Sequence, residues 1–380
     1  LVPFPSRAAP YSTAPSAASH DPPPRGTESQ PAGSRYKNFR VFMKNRESGK
    51  PFCYWLGSSD PHRGYAKGSG VKSGMDLSKI KLFAHFPDSN EVRSDVADYY
   101  FEVQRFDSLV GDAIKVLEES GELDNTIVVM TGDHGMPFPR AKASLYDAGT
   151  HVPLAIRWPK GIKDPGRGVD FCVNLSSLAP TFLAAAGLKA PEMMIAGSLM
   201  GVFANKGNPE RRSFNDISAA FIAMERHDGC REGGKGYPCR AVRTREYLYI
   251  RNYKPDRWPA GNPDRKFCAR DIPFGEVDSS PTKKLLMDNK DKPGFKRFYD
   301  LAFAKRPAEE LYHVGRDPGQ LENLAGNPEF ASVQKKLSAR LQEHLVRTGD
   351  PRALGLDAPW DYYPYYGMRR NKNWKVDPKP

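Results

Sequence analysis

Residues Thr126-Ile127-Val128-Val129-Met130-Thr131 are β-branched or apolar almost without interruption, and they run straight into Gly132-Asp133-His134-Gly135. A run with no polar alternation is what a central strand covered on both faces requires. Ahead of it, Val96, Tyr100, Val103, Phe106, Val110, Ile114 and Leu117 recur at steps of three or four. That spacing predicts a helix over Val92 to Ser120, about seven turns long, with Gly121 as its stop. Earlier still, Phe52-Cys53-Tyr54-Trp55-Leu56 is a short apolar run ended by Gly57-Ser58-Ser59-Asp60-Pro61, which predicts a buried strand followed by a loop. His62 then lies just past a strand end. Val152 to Trp158 reads as another strand, and Leu175 to Ala186 as a helix closed by Gly187. Strand, helix and strand in this order predict an α/β fold with an open, mostly parallel sheet flanked by helices. In such sheets ligand sites gather beyond the carboxyl ends of the strands, where Asp133 and His134 stand.

Beyond Gly236 the pattern changes. Ala241 to Ile250 reads as two short strands meeting at Thr244 to Glu246, and Phe330 to Val346 as an amphipathic helix with Val333, Leu337, Leu341 and Leu345 on one stripe. The expected organisation is a disordered Pro/Ser-rich segment (1–35), a larger α/β unit (36–235), a smaller C-terminal antiparallel α+β subdomain (236–350) and a Tyr/Pro-rich tail (351–380).

The chain carries 57 Lys and Arg against 45 Asp and Glu, a net charge of +12 that favours anionic partners. Nucleic acid is one candidate, but the basic residues are spread out and no nucleic-acid module or zinc-knuckle spacing is present; a sulfated or phosphorylated small substrate fits equally well. No stretch reaches the ~20 apolar residues of a membrane helix, and no basic region followed by an apolar run marks a signal peptide. The chain begins as a fragment would. Its five cysteines, Cys53, Cys172, Cys230, Cys239 and Cys268, match neither a dense disulfide framework nor a zinc site. Cys230 and Cys239 would close a small loop in an oxidising compartment; the alternative is two unpaired thiols.

The chemistry-bearing candidates are few. Asp133 and His134, flanked by glycines, can turn a carboxylate and an imidazole toward one cation; the plainer reading is a β-turn with a solvated His. Lys142 follows in the distinctive stretch Lys142 to Pro153 and, beside a metal, would bind an anion; alone it reads as a surface lysine. His62, in Ser59-Asp60-Pro61-His62-Arg63-Gly64, suits a donor to an anion or a general acid, or a solvated loop histidine. Glu225-Arg226-His227 closes the apolar run Ala219 to Met224 and reads either as a binding element or as a solvated element end.

In order and spacing these segments resemble the type I sulfatases of the alkaline-phosphatase-like superfamily, above all the sulfamidase branch, from about Tyr36 to Gly349. The resemblance rests on Asp60 to Arg63, on Thr131 to Pro139 with Lys142 to Pro153, on Tyr237 to Arg243, and on Glu310-Leu311-Tyr312 with Asp317-Pro318 and Glu322-Asn323-Leu324. It implies a hydrolase of sulfuric esters or sulfamates on sulfated carbohydrate, with calcium as cofactor. Asp133 and His134 would then be metal ligands, His134 standing where many members have Asn. Lys142 would hold the sulfate, His62 would protonate the leaving group, and Glu225, Arg226 and His227 would lie near bound substrate. Full-length relatives of this kind are exported or lysosomal.

The departure is at the nucleophile. The family attacks sulfur with a formylglycine made from Cys or Ser in a Cys/Ser-x-Pro-Ser/Ala-Arg motif, and the near match Pro3-Phe4-Pro5-Ser6-Arg7 holds Pro in that place. The paired aspartates that complete the family's metal site are also missing. The resemblance therefore implies the C-terminal portion of a sulfatase. Two further readings stand beside it: a phosphodiesterase or phosphonate hydrolase of the same superfamily, and a non-catalytic binder of anionic glycans.

Overall fold

The computed structural model describes residues 36–204, 219–356, 358–367 and 369–379, and the chain divides into two compact units. One runs up to Ile80 and takes in Arg93–Val128; the other comprises Lys81–Val92 and everything from Val129 onward. The segment expected to be disordered, 1–35, lies outside the described residues.

The first unit is built from α1 (Phe39–Asn45), the short α2 (Ser69–Lys72) and most of the long α3 (Asn90–Glu119). Asn38 starts α1 by accepting the Val41 amide on its side chain. Gly121, at φ +71°, follows α3 as a left-handed stop. Phe39 and Phe42 pack with Val116 and Leu117 of α3, and Phe52 and Tyr54 close over them. Residues Phe52–Leu56 do not form the expected strand. Their side chains alternate, with Phe52 and Tyr54 turned inward and Trp55 69% exposed, but no described strand offers them a backbone ladder. Aromatic packing holds the segment instead, with Tyr54 4.8 Å from both Phe39 and Phe42 between ring centroids.

In the second unit, β1 (Val128–Thr131, its first residue at the unit boundary) pairs with β2 (Leu154–Arg157) in a two-stranded sheet. Of the expected open, mostly parallel sheet, the described residues of that region hold only this pair. Every β1 residue is half-buried, so the apolar run is not sandwiched as a central strand would be. Between β1 and β2 lies α4 (Asp147–Thr150), and after β2 come α5 (Leu178–Ala185) and α6 (Met200–Phe203). Gly187, at φ +73°, closes the α5 region as expected.

The larger sheet is antiparallel, with β3 (Ala219–Met224), β4 (Cys239–Thr244), β5 (Tyr247–Asn252) and β6 (Glu309–His313) in that order. It opens at Ala219, ahead of the start expected beyond Gly236, because Ala219 to Met224 pairs residue for residue with Thr244 to Cys239. Period-two alternation gives the sheet two apolar faces. Ala241, Leu248, Ile250 and Tyr312 face Leu145, Tyr146 and Tyr237, while Val242, Tyr249 and Leu311 face α9 (Ala331–Arg347). Leu337, Leu341 and Leu345 form the buried stripe of α9, each contributing about 2 kcal/mol of burial. A third cluster joins α7 (Pro281–Asp288) and α8 (Pro293–Phe303) through Leu286, Phe303 and Phe274. The Tyr/Pro-rich tail is anchored by Trp374, 4% exposed, whose indole N–H donates to the Arg231 carbonyl at 3.2 Å.

Candidate functional site

The segment that leaves β1 is fixed by two glycines. The Gly135 amide donates to the Gly149 carbonyl at 2.8 Å. A Cβ at Gly135 would sit 1.8 Å from the Ala148 carbonyl oxygen, and one at Gly149 would sit 2.3 Å from that of Ala141. Only glycine lets these backbones meet. The Lys142 amide then donates to the Met136 carbonyl at 3.0 Å, and Lys142 is bracketed by two residues with left-handed backbone, Arg140 and Ala143, both at φ 60°. Strained positions of that kind on both sides of a lysine fix where its side chain leaves the chain.

Asp133 and His134 project from this frame. The Asp133 side chain is 89% exposed and that of His134 38%. Asp133 Oδ1 accepts the His134 amide at 3.0 Å, and His134 Nδ1 lies 2.8 Å from the Gly135 carbonyl. His134 Nε2 stands 3.6 Å from Asp133 Oδ2, so the two side chains face a common region of solvent. The turn conformation and exposure are those of the plainer reading; the adjacency is what a cation site would use.

Lys142 is not a surface lysine. Its side chain is 8% exposed and its Nζ lies 3.0 Å from Asp278 Oδ2. Asp278 Oδ1 is 3.7 Å from Arg270, Arg270 pairs with Asp228, and Asp228 accepts the Tyr365 hydroxyl. Alongside runs a second chain of charge. His227 Nδ1 and Arg231 Nη1 each lie 2.8 Å from the fully buried Glu276. Burial pushes the Glu276 carboxyl up, but Arg231 and His227 together outweigh it and hold the group below the usual carboxylate range. A cavity of about 40 Å³ lies here, lined among others by Lys142, Arg140, Tyr146, Tyr237, Glu276 and Glu310.

Of the remaining candidates, Glu225 is engaged by Arg240 at 2.6 Å and Arg352 at 2.8 Å. Arg226 donates to the carbonyls of Gly234 and Tyr363, both at 3.0 Å. Only His227 of that triplet joins the charged network near Lys142. His62 belongs to the first unit, exposed, with its amide on the Ser59 carbonyl at 2.8 Å and its Nδ1 against the Arg63 carbonyl. Its loop is tied down by Arg63, which forks onto Asp95 of α3 at 2.8 and 3.1 Å. Asp278, Arg270 and Glu276 were not legible as site residues. Their only sequence signal is a pair of acids shortly before a helix.

Among the described residues, no three His, Cys, Asp or Glu side chains gather as a metal site. Calcium takes about six to eight oxygen ligands, and one carboxylate with one imidazole does not amount to that set. Asp133 and His134 by themselves do not fit the ion. The near match to the nucleophile motif, Pro3 to Arg7, lies outside the described residues.

Residues 15–188 match the sulfatase family, and residues 132–260 match the C-terminal region of N-sulphoglucosamine sulphohydrolase. The two matches overlap on the segment that carries Asp133, His134 and Lys142. The chain belongs to the sulfatase family. It is 29% identical over 281 residues to an ulvan-active sulfatase of Formosa agariphila, covering 73% of this chain and 42% of that protein. With human N-sulphoglucosamine sulphohydrolase it shares 27% over 340 residues, covering 82% and 64%. The chain thus spans 42% to 64% of the length of these curated relatives. Its fold is also that of solved structures. One, bound to its substrate D-glucosamine-2-N,6-O-disulfate, superposes with a TM-score of 0.54 at 20% identity, covering 82% of this chain and 69% of that one. A phosphonate monoester hydrolase of Agrobacterium radiobacter gives 0.54 at 15%, covering 82% and 59%. Likeness at that level shows the fold and does not separate sulfate from phosphonate chemistry. No helix among the described residues of this sulfatase-family chain is long and apolar enough to cross a membrane.

Proposed function

We infer that this chain serves hydrolysis of a sulfuric ester or sulfamate on a sulfated carbohydrate, with Lys142 as the group that holds the sulfuryl oxygens. One observation carries the reading: the Gly135–Gly149 and Lys142–Met136 backbone bonds lock Lys142 into the same short frame that presents Asp133 and His134. Asp278 holds the ammonium in place at 3.0 Å. A sulfate approaching Lys142 would exchange one anionic partner for another, which limits the desolvation cost of binding. In this reading Asp133 and His134 would lend two of the six to eight donors a calcium ion needs, and His227 borders the substrate; for His62, which belongs to the other unit, the role of acid to the leaving oxygen or nitrogen rests on the family resemblance alone. The substrate of one structural neighbour, a glucosamine carrying N- and O-sulfate, and the ulvan-active and sulphoglucosamine-hydrolysing relatives favour a sulfated sugar.

The test is calorimetric titration of the chain with D-glucosamine-2-N-sulfate, followed by assay of released sulfate. Lys142→Ala should weaken binding about tenfold or more, the loss of one charge-assisted contact. Equal binding by the two proteins would remove Lys142 from the site. A second reading, a non-catalytic binder of anionic glycans, is favoured by the net charge of +12. Tight binding with no sulfate release supports it. Turnover of an aryl phosphonate in preference to an aryl sulfate would instead select the phosphonate chemistry.

A further inference from the structure

Cys230 and Cys268 lie 38 positions apart in sequence but side by side in the fold, on the two loops that hold the charged network leading to Lys142. A Cβ at Gly275 would stand 2.5 Å from Cys268 Sγ and 2.6 Å from Cys230 Cβ. Gly275 is thus wedged against both cysteines. Gly261, against Gly275, leaves room for Cys230 Sγ, which would be 2.7 Å from a Cβ there. The backbones are already joined one residue away from each sulfur, since the Ala269 amide donates to the Gly229 carbonyl at 2.6 Å. Neighbouring strands of chain bonded in that way bring facing residues to the separation a disulfide spans. The small-loop alternative, Cys230 with Cys239, is less well served. Cys239 sits on β4 in the cluster of Leu145, Tyr146 and Tyr237, and Cys230 is not part of that cluster.

We propose that Cys230 and Cys268 are a disulfide-forming pair, closed by exchange with a small-molecule disulfide such as oxidised glutathione. The thiolate of one cysteine attacks a sulfur of the oxidant, giving a mixed disulfide and releasing one glutathione thiolate. The second cysteine then attacks the protein sulfur of the mixed disulfide and displaces the other glutathione. Two protein thiols are oxidised, one glutathione disulfide is reduced to two thiols, and the two protons end on the released glutathiones. Both cysteines are 0% exposed, and burial raises both thiols above their ordinary range, so exchange belongs to the folding chain, before these loops close. Once made, the bond ties the loop carrying Asp228 to the loop carrying Arg270, which form an ion pair across it.

This inference goes beyond the sulfatase reading and does not depend on it. The full chain, made in an oxidising compartment, is quenched with iodoacetamide and digested without reduction. The expected result is a linked peptide joining Cys230 to Cys268, and denatured thiols that fall by two from the five in the sequence. Cys239→Ser should retain the linked peptide; Cys268→Ser should lose it. If Cys268→Ser does not fold, the wild-type and Cys239→Ser maps still decide. Alkylated Cys230 and Cys268, a Cys230–Cys239 link, or glutathione retained on either cysteine would each overturn the proposal, whatever the chain does to sulfate esters.

Discussion

Two charged segments of the second unit, Gly132 to Lys142 and Glu225 to His227, look alike as sequence and are built in opposite ways. In the first, the backbone is locked by close glycine contacts, while Asp133 and His134 are left exposed. In the second, the side chains themselves are the structure: Glu225 joins Arg240 to Arg352, and Arg226 is spent on backbone carbonyls. A group whose hydrogen-bonding capacity is used internally has little left for a ligand. The contrast separates Asp133 and His134, presented to solvent on a rigid frame, from Glu225 and Arg226, whose loss would be felt as stability.

The largest effect should come from the frame. Gly135→Ala forces a methyl to 1.8 Å from the Ala148 carbonyl oxygen, with backbone rather than a mobile side chain in the way, and should cost about 3 kcal/mol in urea unfolding. A loss below about 1 kcal/mol would mean that the frame yields and that Lys142 is not fixed by it. Next comes Glu225→Ala. It strips Arg240, whose side chain is 3% exposed, of one of two carboxylates, leaving Asp350 at 2.7 Å. About 2 kcal/mol of stability should go, with sulfate affinity unchanged. Lost affinity with unchanged stability would reverse the roles of the two segments.

What the sequence made legible follows the range of the forces involved. The stripe of α3 and that of α9 are local, so spacing alone located Asn90–Glu119 and Ala331–Arg347 closely. The turn between β4 and β5 is local too. Phe52–Leu56 failed because a strand needs a partner, and the run's composition says nothing of whether one is present. The pairing of Ala219–Met224 with β4 spans a long loop, which hid the start of the sheet. Lys142 is the sharpest case. As sequence it is one lysine among many, and its burial depends on Asp278, 136 residues further on. The family resemblance singles out Lys142, but neither composition nor periodicity points to the acid that holds it.

A smaller effect tests the underside of the first segment. His85 is 3% exposed, and neither ring nitrogen has a hydrogen-bond partner among the described residues. Burial, helped by the charge of Arg140, lowers it to about 3. The folded chain therefore keeps His85 neutral where the unfolded chain takes up a proton near pH 6.5. Stability is at its full value above that pH and falls with acidification through the window down to about 3. Between pH 7 and pH 5.5 the loss attributable to His85 should be about 1 kcal/mol, and His85→Leu should flatten the slope by that amount. An unchanged slope would mean that the imidazole reaches water.

The smallest stability effect is the one that bears most on function. Asp133→Ala and His134→Ala remove side chains that are 89% and 38% exposed, whose hydrogen bonds among the described residues stay within their own turn. Each should change unfolding free energy by less than about 0.5 kcal/mol, the range of surface substitutions. If these side chains serve a ligand, the same variants should nevertheless weaken binding of a sulfated sugar. Residues that cost nothing to remove from the fold and much to remove from the complex are held by function. Should either variant lose as much stability as Glu225→Ala, the two segments would be built alike after all, and the turn at Asp133 would be scaffold.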